Sequence, residues 1–312
     1  MARFVRTQRE VEGRFEDVFA LVDEDDDLET WRDEDQLTLV GRPAPRRDGA
    51  ARASGVARYT VDVQLPRMLH AAVLRSPHAA ARVVSLDLDA ARAVPGVRVV
   101  LGPDDPLGSA GSPVLTAEPT FAGEPIAAVA AETADAARAG LEALAPVFEV
   151  LPHESDLDSA LADQRFTEEP SEGERGDVDA ALAAADVTVE LSLETPRHLQ
   201  TPLEPHAAVA RWEGDELTVW ISTQGMFDAR RELADRFDLP VDRVRVVSEF
   251  VGGGFGAKKG AGPEGALAAA LSLASGRPVR VVNDRHAEQL VGGRRGATRQ
   301  TVTIYRRGSR GW

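Results

Sequence analysis

Cysteine is absent from the 312 residues of this chain, and its absence excludes several kinds of site. A chain without cysteine has no disulfide framework, no thiolate zinc site and no cysteine-held iron–sulfur cluster of its own. Long apolar runs are also missing, since no stretch approaches the roughly 18–20 apolar residues that a membrane-spanning helix needs. We therefore expect a cytoplasmic protein that neither carries an iron–sulfur cluster nor crosses a membrane.

Positive charge is scarce in this sequence. The 36 lysine and arginine residues face 51 acidic residues, so the formal net charge is −15, and only Lys258 and Lys259 are lysines. Such a balance argues against nucleic-acid binding as the main task. Nine acidic residues fall between Asp23 and Asp35, a density typical of a solvated or disordered tail, and we predict an acidic N-terminal extension over residues 1–45.

From residue 46 onward the pattern predicts a folded domain. Alternating apolar residues predict strands in ARYTVDVQL and LHAAVLRS, and ARVVSLDLDAARAVPGVRVVLG predicts a strand, a helix over residues 88–93 and another strand. The strand EPIAAVAAE, the helix TADAARAGLEAL and the strand FEVLP follow. Strands mixed with two helices indicate a small α+β domain over residues 46–155. Residues 156–175 are polar and turn-rich and are predicted to be a linker.

Residues 176–312 predict a second domain that is incomplete. A short helix after Asp177, a strand and a hairpin turning at residues 213–216 come first. A helix is predicted from Met226 to Phe237, with Met226, Arg230, Leu233 and Phe237 on one face, and another from Pro263 to Ala274. One strand at residues 301–305 and a basic tail end the chain, and neither closes a core.

The glycine run VGGGFGAKKG, between a predicted strand and a helix, is the strongest local signal. It is compatible with a flexible connection or with backbone N–H groups held against a ligand's oxygen atoms. It also fits a dinucleotide fingerprint, because Gly252, Gly254 and Ala257 satisfy G-x-G-x-x-G/A. The P-loop pattern fails, since Lys259 stands where Ser or Thr is needed.

Eight segments taken in order resemble the large subunit of the molybdenum hydroxylases, the family of xanthine dehydrogenase and aldehyde oxidase. The resemblance spans about residues 40–305 and is carried by GVARYTVDVQLPRMLHAAVLRSPHAAARV, AVPGV, FAGEPIAAVAAET, GDVDAALAAADVTVE, LEPHAAVARW, TVWISTQG, VRVVSEFVGGGFGAK and RPVRVVNDR. It implies an α/β hammerhead domain followed by the first part of a molybdopterin-binding domain. The implied fold class is α+β.

The resemblance also implies a molybdenum–molybdopterin cofactor and positions that approach it. In the family the glutamine of the STQ segment, here Gln224, reaches towards the metal's oxo ligand. The loop of Gly253, Gly254, Phe255 and Gly256 packs beside the cofactor, with its backbone amides near the metal's oxygen ligands. Glu204 matches a segment whose glutamate is chiefly structural.

Departures from the family pattern limit what the resemblance implies. The family's purine-oxidising members have a glutamate at the position of Lys259, so xanthine is not a favoured substrate. The general-base glutamate lies in a C-terminal region that this chain lacks, and we therefore assign no catalytic residue. The six histidines show no metal-ligand spacing, so no protein metal site is predicted. Lys258 and Lys259 are expected to be a solvated pair at a helix start.

The activity implied by resemblance is oxidative hydroxylation of an aldehyde, an N-heterocycle or a similar substrate. We expect the chain to be inactive alone and to need the C-terminal half of the large subunit. Separate iron–sulfur and FAD subunits are implied as partners, since neither group is expected in this chain. Two alternatives remain: a non-catalytic remnant or assembly module of the family, and an NAD(P)-binding oxidoreductase that uses the glycine run.

Overall fold

The computed structural model describes residues 2–11, 14–23, 37, 39–106, 114–165, 171, 173 and 175–306. The strands lie at Ala2–Val11 (β1), Arg14–Asp23 (β2), Leu69–Arg75 (β3), Ala81–Ser85 (β4), Val97–Leu101 (β5), Pro125–Ala131 (β6), Val147–Val150 (β7), Val187–Thr195 (β8), His198–Leu199 (β9), Ala207–Glu213 (β10), Glu216–Ile221 (β11), Val244–Val247 (β12), Val279–Val282 (β13), Arg294–Arg295 (β14) and Thr298–Arg306 (β15). The helices lie at Gly49–Ala53 (α1), Leu88–Ala93 (α2), Ala134–Ala143 (α3), Leu157–Ala162 (α4), Val178–Ala183 (α5), Met226–Arg236 (α6), Gly262–Ser275 (α7) and Arg285–Val291 (α8).

A seven-stranded sheet in the order β12-β11-β10-β13-β3-β6-β5 forms the centre of the fold. It joins strands from both predicted domains, because β13 pairs in parallel with β3 and Leu69 N donates to Pro278 O at 2.7 Å. On one side of this junction β10 pairs antiparallel with β13, and on the other β3 pairs antiparallel with β6. Helices and mixed sheets together confirm the predicted α+β class.

Both faces of the central sheet are buried, which explains the apolar run in β6. Ala128 and Ala130 belong to the core on the side of α7, whereas Val129 and Ala131 belong to the core on the side of α3. Successive side chains of a strand point to opposite faces, so a strand covered on both sides has no polar positions. The alternation that marks a half-buried strand is therefore absent here.

Helix α7 packs along the centre of the sheet. Its buried side includes Leu267 and Leu271, and short alanine side chains between them bring its backbone close to the strands. Trp212 of β10 donates from Nε1 to Ala269 O at 2.9 Å, so the strand and the helix are tied by a hydrogen bond as well as by packing. The prediction of a helix from Pro263 to Ala274 is confirmed with one more residue at each end.

The strand predicted in ARYTVDVQL is wrong, because Thr60–Asp62 form a turn of 3₁₀ helix instead. Asp62 N donates to Tyr59 O at 2.9 Å, and Tyr59 N donates in return to Asp62 Oδ2 at 3.0 Å. A short polar side chain that bonds the local backbone competes with pairing to another strand. Here that competition overrides the alternation of apolar residues.

Several further elements were not predicted. Helix α4 begins the predicted linker, where Asp156 caps it by accepting from Ser159 N at 2.8 Å. Helix α8 follows Asp284, which accepts from Ala287 N at 2.7 Å. Strands β1 and β2 form a hairpin within the predicted N-terminal extension.

Further predictions concern the acidic block, the basic tail and the buried face of α6. The acidic block, apart from Asp23, and residues 307–312 of the basic tail lie outside the described residues. In α6 the buried residues are Ala229, Leu233 and Ala234, whereas Met226 of the predicted face is 42% exposed. Helix α1 and the short strands β9 and β14 were also not predicted, whereas the remaining strands and helices occur where the sequence predicts them, with bounds that shift by a few residues.

Strands β8 and β15 form a separate antiparallel ribbon of nine residue pairs. All residues of both strands are exposed, including apolar side chains that alternate along them. Val189, Leu191, Val302 and Ile304 share one face, since Leu191 pairs with Val302 and Val189 with Ile304. We call these four residues the ribbon face. Within the described part of the chain, no helix has the length and apolar character to cross a membrane.

The packing of α7 predicts a large difference between two of its leucines. Leu271 is fully buried, whereas Leu273 is 41% exposed on the same helix. We expect Leu271→Ala to lower the free energy of unfolding by about 2–5 kcal/mol, because it removes buried methyl groups and leaves a cavity. Leu273→Ala is the matched control and should cost under about 1 kcal/mol. Urea unfolding measures both, and similar losses would contradict the packing described here.

Candidate functional site

The pairing of two strands brings the candidate site residues together. Strands β11 and β12 are parallel neighbours, from Leu217 opposite Val244 to Trp220 opposite Val247. The carboxyl ends of parallel strands lie at the same edge of a sheet, where ligands of open α/β sheets commonly bind. Gln224 follows β11, and the segment Gly252–Gly256, which we call the glycine loop, follows β12.

Gln224 and the glycine loop are in direct contact. Gly256 N donates to Gln224 Oε1 at 2.9 Å, and Gln224 N donates to Lys258 O at 2.7 Å. A Cβ atom on Gly254 would lie 2.4 Å from Gln224 Oε1, a distance that no real side chain tolerates. The absence of a side chain at Gly254 therefore allows the glutamine amide to lie against the loop.

The backbone of the glycine loop presents N–H groups that can donate hydrogen bonds. Gly253 and Gly256 have φ values of 100° and 89°, and Phe255 has φ 53° with its side chain 61% exposed. A residue other than glycine in this region costs on the order of 1–3 kcal/mol and persists where the surroundings impose it. Within the described residues, the backbone N–H groups of Gly253, Gly254 and Phe255 donate to no acceptor.

Two arginines hold the ends of the glycine loop. Arg52 of α1 donates from Nη1 to Val251 O at 3.1 Å, and its guanidinium lies 5.3 Å from the ring centroid of Phe250. Arg295 of β14 donates from Nη2 to Phe255 O at 3.2 Å. The loop is therefore fixed by elements that are distant in sequence, which local sequence patterns do not reveal.

Behind the loop lies a buried acidic side chain, Glu204. Its Oε2 atom accepts from Gly252 N at 2.7 Å, from Ser222 Oγ at 2.7 Å and from Lys258 Nζ at 3.3 Å. Lys258 Nζ also donates to Glu204 O at 2.7 Å. The structural role implied for Glu204 agrees with these contacts.

The expectation that Lys258 is solvated is wrong. Its side chain is 0% exposed, whereas the neighbouring Lys259 is exposed. Burial lowers the pKa of Lys258, and the nearby Glu204 carboxylate opposes that shift. The sequence carries no periodic signal that distinguishes the two lysines, and only the fold separates them.

A cavity of about 200 Å³ lies beside this network. Its walls include His206, Ser222, Lys258, Lys259 and Glu264. Two larger cavities, of about 580 and 640 Å³, lie elsewhere on the central sheet and contain neither Gln224 nor a residue of the glycine loop. The described residues contain no group of three or more His, Cys, Asp or Glu side chains that would hold a metal ion.

Comparison with known families places both halves of the chain. Residues 54–152 match the family described as aldehyde oxidase and xanthine dehydrogenase, a/b hammerhead domain. Residues 161–307 match the molybdopterin cofactor-binding domain. The chain belongs to the molybdenum hydroxylase family. Its two matched regions are those of the molybdenum-binding large subunit, as the sequence resemblance implied.

Individual relatives agree with this assignment. The aldehyde oxidoreductase molybdenum-binding subunit PaoC of Escherichia coli K12 is 33% identical over 264 residues, which cover 80% of this chain and 36% of that protein. The nicotinate dehydrogenase large molybdopterin subunit of Eubacterium barkeri is 32% identical over 279 residues, which cover 82% of this chain and 64% of that protein. The chain thus spans between about a third and two thirds of the length of these two relatives.

Solved structures of the family share the fold. Quinoline 2-oxidoreductase from Pseudomonas putida 86 superposes with a TM-score of 0.74 at 28% identity, covering 85% of this chain and 37% of that one. The Cu,Mo-CO dehydrogenase superposes with a TM-score of 0.68 at 30% identity, covering 79% of this chain and 36% of that one. None of these comparisons favours the dinucleotide interpretation of the glycine run.

The geometry at this edge of the sheet fits a ligand that presents oxygen atoms. Three loop N–H groups are without an acceptor in the described residues, and the amide group of Gln224 lies beside them. Gly254, whose N–H is one of the three, is itself buried, and buried donors are seldom left unpaired in native structures. Together these groups form a cluster of donors suited to a ligand with oxygen atoms.

A second buried ion pair lies near the site. His206 Nδ1 is 2.9 Å from Glu288 Oε1, and the Glu288 side chain is 0% exposed. Burial opposes the charge of His206, but the hydrogen bond to Glu288 and the negative charges of Glu264 and Glu288 outweigh it and raise the His206 pKa. Burial likewise opposes the charge of Glu288, but bonds from His206 outweigh it and lower the Glu288 pKa.

We predict that the ion pair of His206 and Glu288 stabilises the fold most in mildly acidic solution. A raised His206 pKa adds stability that is complete below pH 6.5 and is lost as the pH rises through the folded-state pKa. A lowered Glu288 pKa adds stability that is present above pH 4.5 and is lost as the pH falls through the folded-state value. The destabilisation caused by Glu288→Gln, measured by urea unfolding, should therefore be greatest between about pH 4.5 and 6.5.

The control for this measurement is Glu149→Gln on β7, where the side chain is 53% exposed in an ion pair with Arg82. An exposed ion pair contributes little, so the effect of this control should change little between pH 4 and 8. The same pH profile for both variants would contradict a role of the buried pair.

Proposed function

We propose that this chain forms the N-terminal portion of the molybdenum-cofactor-binding subunit of a cytoplasmic xanthine dehydrogenase or aldehyde oxidase type hydroxylase. The observation that carries the proposal is the contact between Gln224 and the glycine loop at one edge of the sheet, with three loop N–H groups free of acceptors in the described residues. The proposed reaction is oxidative hydroxylation of an aldehyde, an N-heterocycle or a similar substrate.

In this proposal the residues of the chain bind and orient, and the cofactor supplies the oxidation chemistry when it is bound. The N–H groups of Gly253, Gly254 and Phe255 donate to oxygen atoms, and the amide of Gln224 offers a further donor. Gly256 N fixes the Gln224 amide by donating to Oε1, so Nε2 is the atom of that amide with protons to donate to a ligand. We assign no general base within residues 1–312.

A second polypeptide is part of the proposal. The ribbon face exposes between 36% and 42% of each of its four apolar side chains, and contiguous apolar surface of this kind marks an interaction site. We assign its partner to the C-terminal half of the large subunit, which would also supply the general base. Iron–sulfur and FAD subunits complete the electron path, because a chain with no cysteine binds no thiolate-held cluster.

The experiment that tests the proposed function is metal and pterin analysis of the chain, purified alone and then after co-expression with the polypeptide encoded downstream. Molybdenum and pterin that appear only on co-expression would support a subunit completed by a second chain. No cofactor under either condition would overturn the activity and favour a non-catalytic module of the family. Stoichiometric nicotinamide binding would instead support the dinucleotide alternative.

Gly254→Ala tests the contact that carries the proposal. The added methyl group would lie 2.4 Å from Gln224 Oε1, so the amide must leave the loop. We expect the molybdenum content of the co-expressed complex to fall by on the order of tenfold or more, as for other changes that displace a positioning contact. The control is Gly296→Ala, whose added methyl group would have no atom within 4 Å. Equal metal content in the two variants would contradict the assignment.

A further inference from the structure

Lys258 is the most enclosed charged side chain next to the glycine loop. Its side chain is 0% exposed, and it is among the largest fully buried side chains of the described residues. A buried ammonium group is costly unless it is paired and hydrogen-bonded. Lys258 meets both conditions at Glu204, with Nζ 2.7 Å from the backbone O and 3.3 Å from Oε2.

Glu204 in turn bears directly on the glycine loop. The same Oε2 atom that Lys258 approaches accepts from Gly252 N at 2.7 Å. Gly252 packs so closely that a Cβ atom there would lie 2.5 Å from Glu204 Cβ. The first residue of the loop is therefore placed by the side chain of Glu204, and the same Oε2 atom is paired with the buried Lys258.

The backbone of Lys258 reaches the other half of the site. Its carbonyl oxygen accepts from Gln224 N at 2.7 Å and from Thr223 Oγ1 at 3.3 Å. Thr223 is buried, and its Oγ1 also donates to Gly260 O at 2.8 Å and accepts from Gly225 N at 3.1 Å. One residue thus contacts both the segment that carries Gln224 and the carboxylate that places the loop.

We propose that Lys258 is a positioning residue that holds the glycine loop against Gln224, acting through the charge of Glu204. The effect of Lys258 on cofactor binding rests on the function proposed above. Its effect on the position of the loop is a property of the chain by itself. The role belongs to the charge of Lys258 and not only to its volume. A neutral side chain at this position removes the cation that is hydrogen-bonded to the Glu204 carboxylate, and the carboxylate then holds Gly252 N–H less firmly.

The test is hydrogen exchange of the full chain, purified alone, followed by mass spectrometry of the peptide 250–258. Lys258→Met keeps the unbranched shape of the side chain, shorter by one heavy atom, and removes the charge. We expect it to speed exchange of this peptide by on the order of tenfold, with the peptide of helix α7 unchanged. The matched control is Lys259→Met, which removes the adjacent, exposed charge and should alter exchange less than about twofold.

The double variant Lys258→Met with Glu204→Gln separates charge from packing. Its glutamine amide oxygen accepts from Gly252 N and Ser222 Oγ without a counter-charge, so most of the loop's protection should return. This rescue is also expected if Lys258→Met alone fails to fold. Protection that is unchanged in Lys258→Met, or a double variant no better than the single one, would overturn the proposal. A loosened loop in a chain that never acquires pterin would leave the positioning role standing and defeat the proposed function.

Discussion

The carboxylate of Glu204 receives hydrogen bonds from three different parts of the fold. Gly252 N reaches it from the glycine loop, Ser222 Oγ from the end of β11, and Lys258 Nζ from beyond the loop. Hydrogen bonds to a charged group are stronger than those between neutral groups, and they depend on that charge being compensated in the interior. The ion pair of Glu204 and Lys258, whose members are 54 residues apart in the chain, thus acts on the glycine loop together with the hydrogen bonds from Arg52 and Arg295.

Strand pairing determines where this ion pair acts. Because β11 and β12 are parallel, the segments that follow them leave the sheet at the same edge. The intervening helix α6 makes the crossover that such a connection requires, and its buried Leu233 packs into the same core as α7. Gln224 and the glycine loop thus meet although their sequence segments carry no sign of contact. The antiparallel hairpin β10–β11 then joins this edge to β13 and, through β3, to the hammerhead half of the chain.

Local signals in the sequence predicted most elements of the fold and failed in definable cases. Helix α7 has Pro263 in its first turn and Gly276 after its last residue, and both are start and stop signals that act within the helix. The sequence did not predict the 3₁₀ turn at Thr60–Asp62. Its alternating apolar residues are typical of a strand, but the hydrogen bonds between Tyr59 and Asp62 favour the turn. For the site, resemblance to the family singled out Gln224 and the glycine loop. The burial of Lys258 was not predictable, because Lys258 and Lys259 are adjacent and identical in type. Only the tertiary structure buries the first side chain and leaves the second exposed.

The ribbon of β8 and β15 shows the opposite relation between sequence and structure. Its alternation of apolar and polar residues is strong, and the pattern predicted two strands where the structure has them. Alternation of this kind indicates one covered face, yet the ribbon face remains open in the chain. An amphipathic ribbon with no covering layer is stable only marginally by itself, because two strands bury too little surface. The same residues that identify these segments as strands therefore argue for a covering partner. Strand β9 follows β8 and strand β14 precedes β15, and these two short strands pair with each other. Arg295 of β14 donates to Phe255 O of the glycine loop. A partner bound to the ribbon face would contact a strand that is connected in sequence, through β14, to a residue holding the glycine loop.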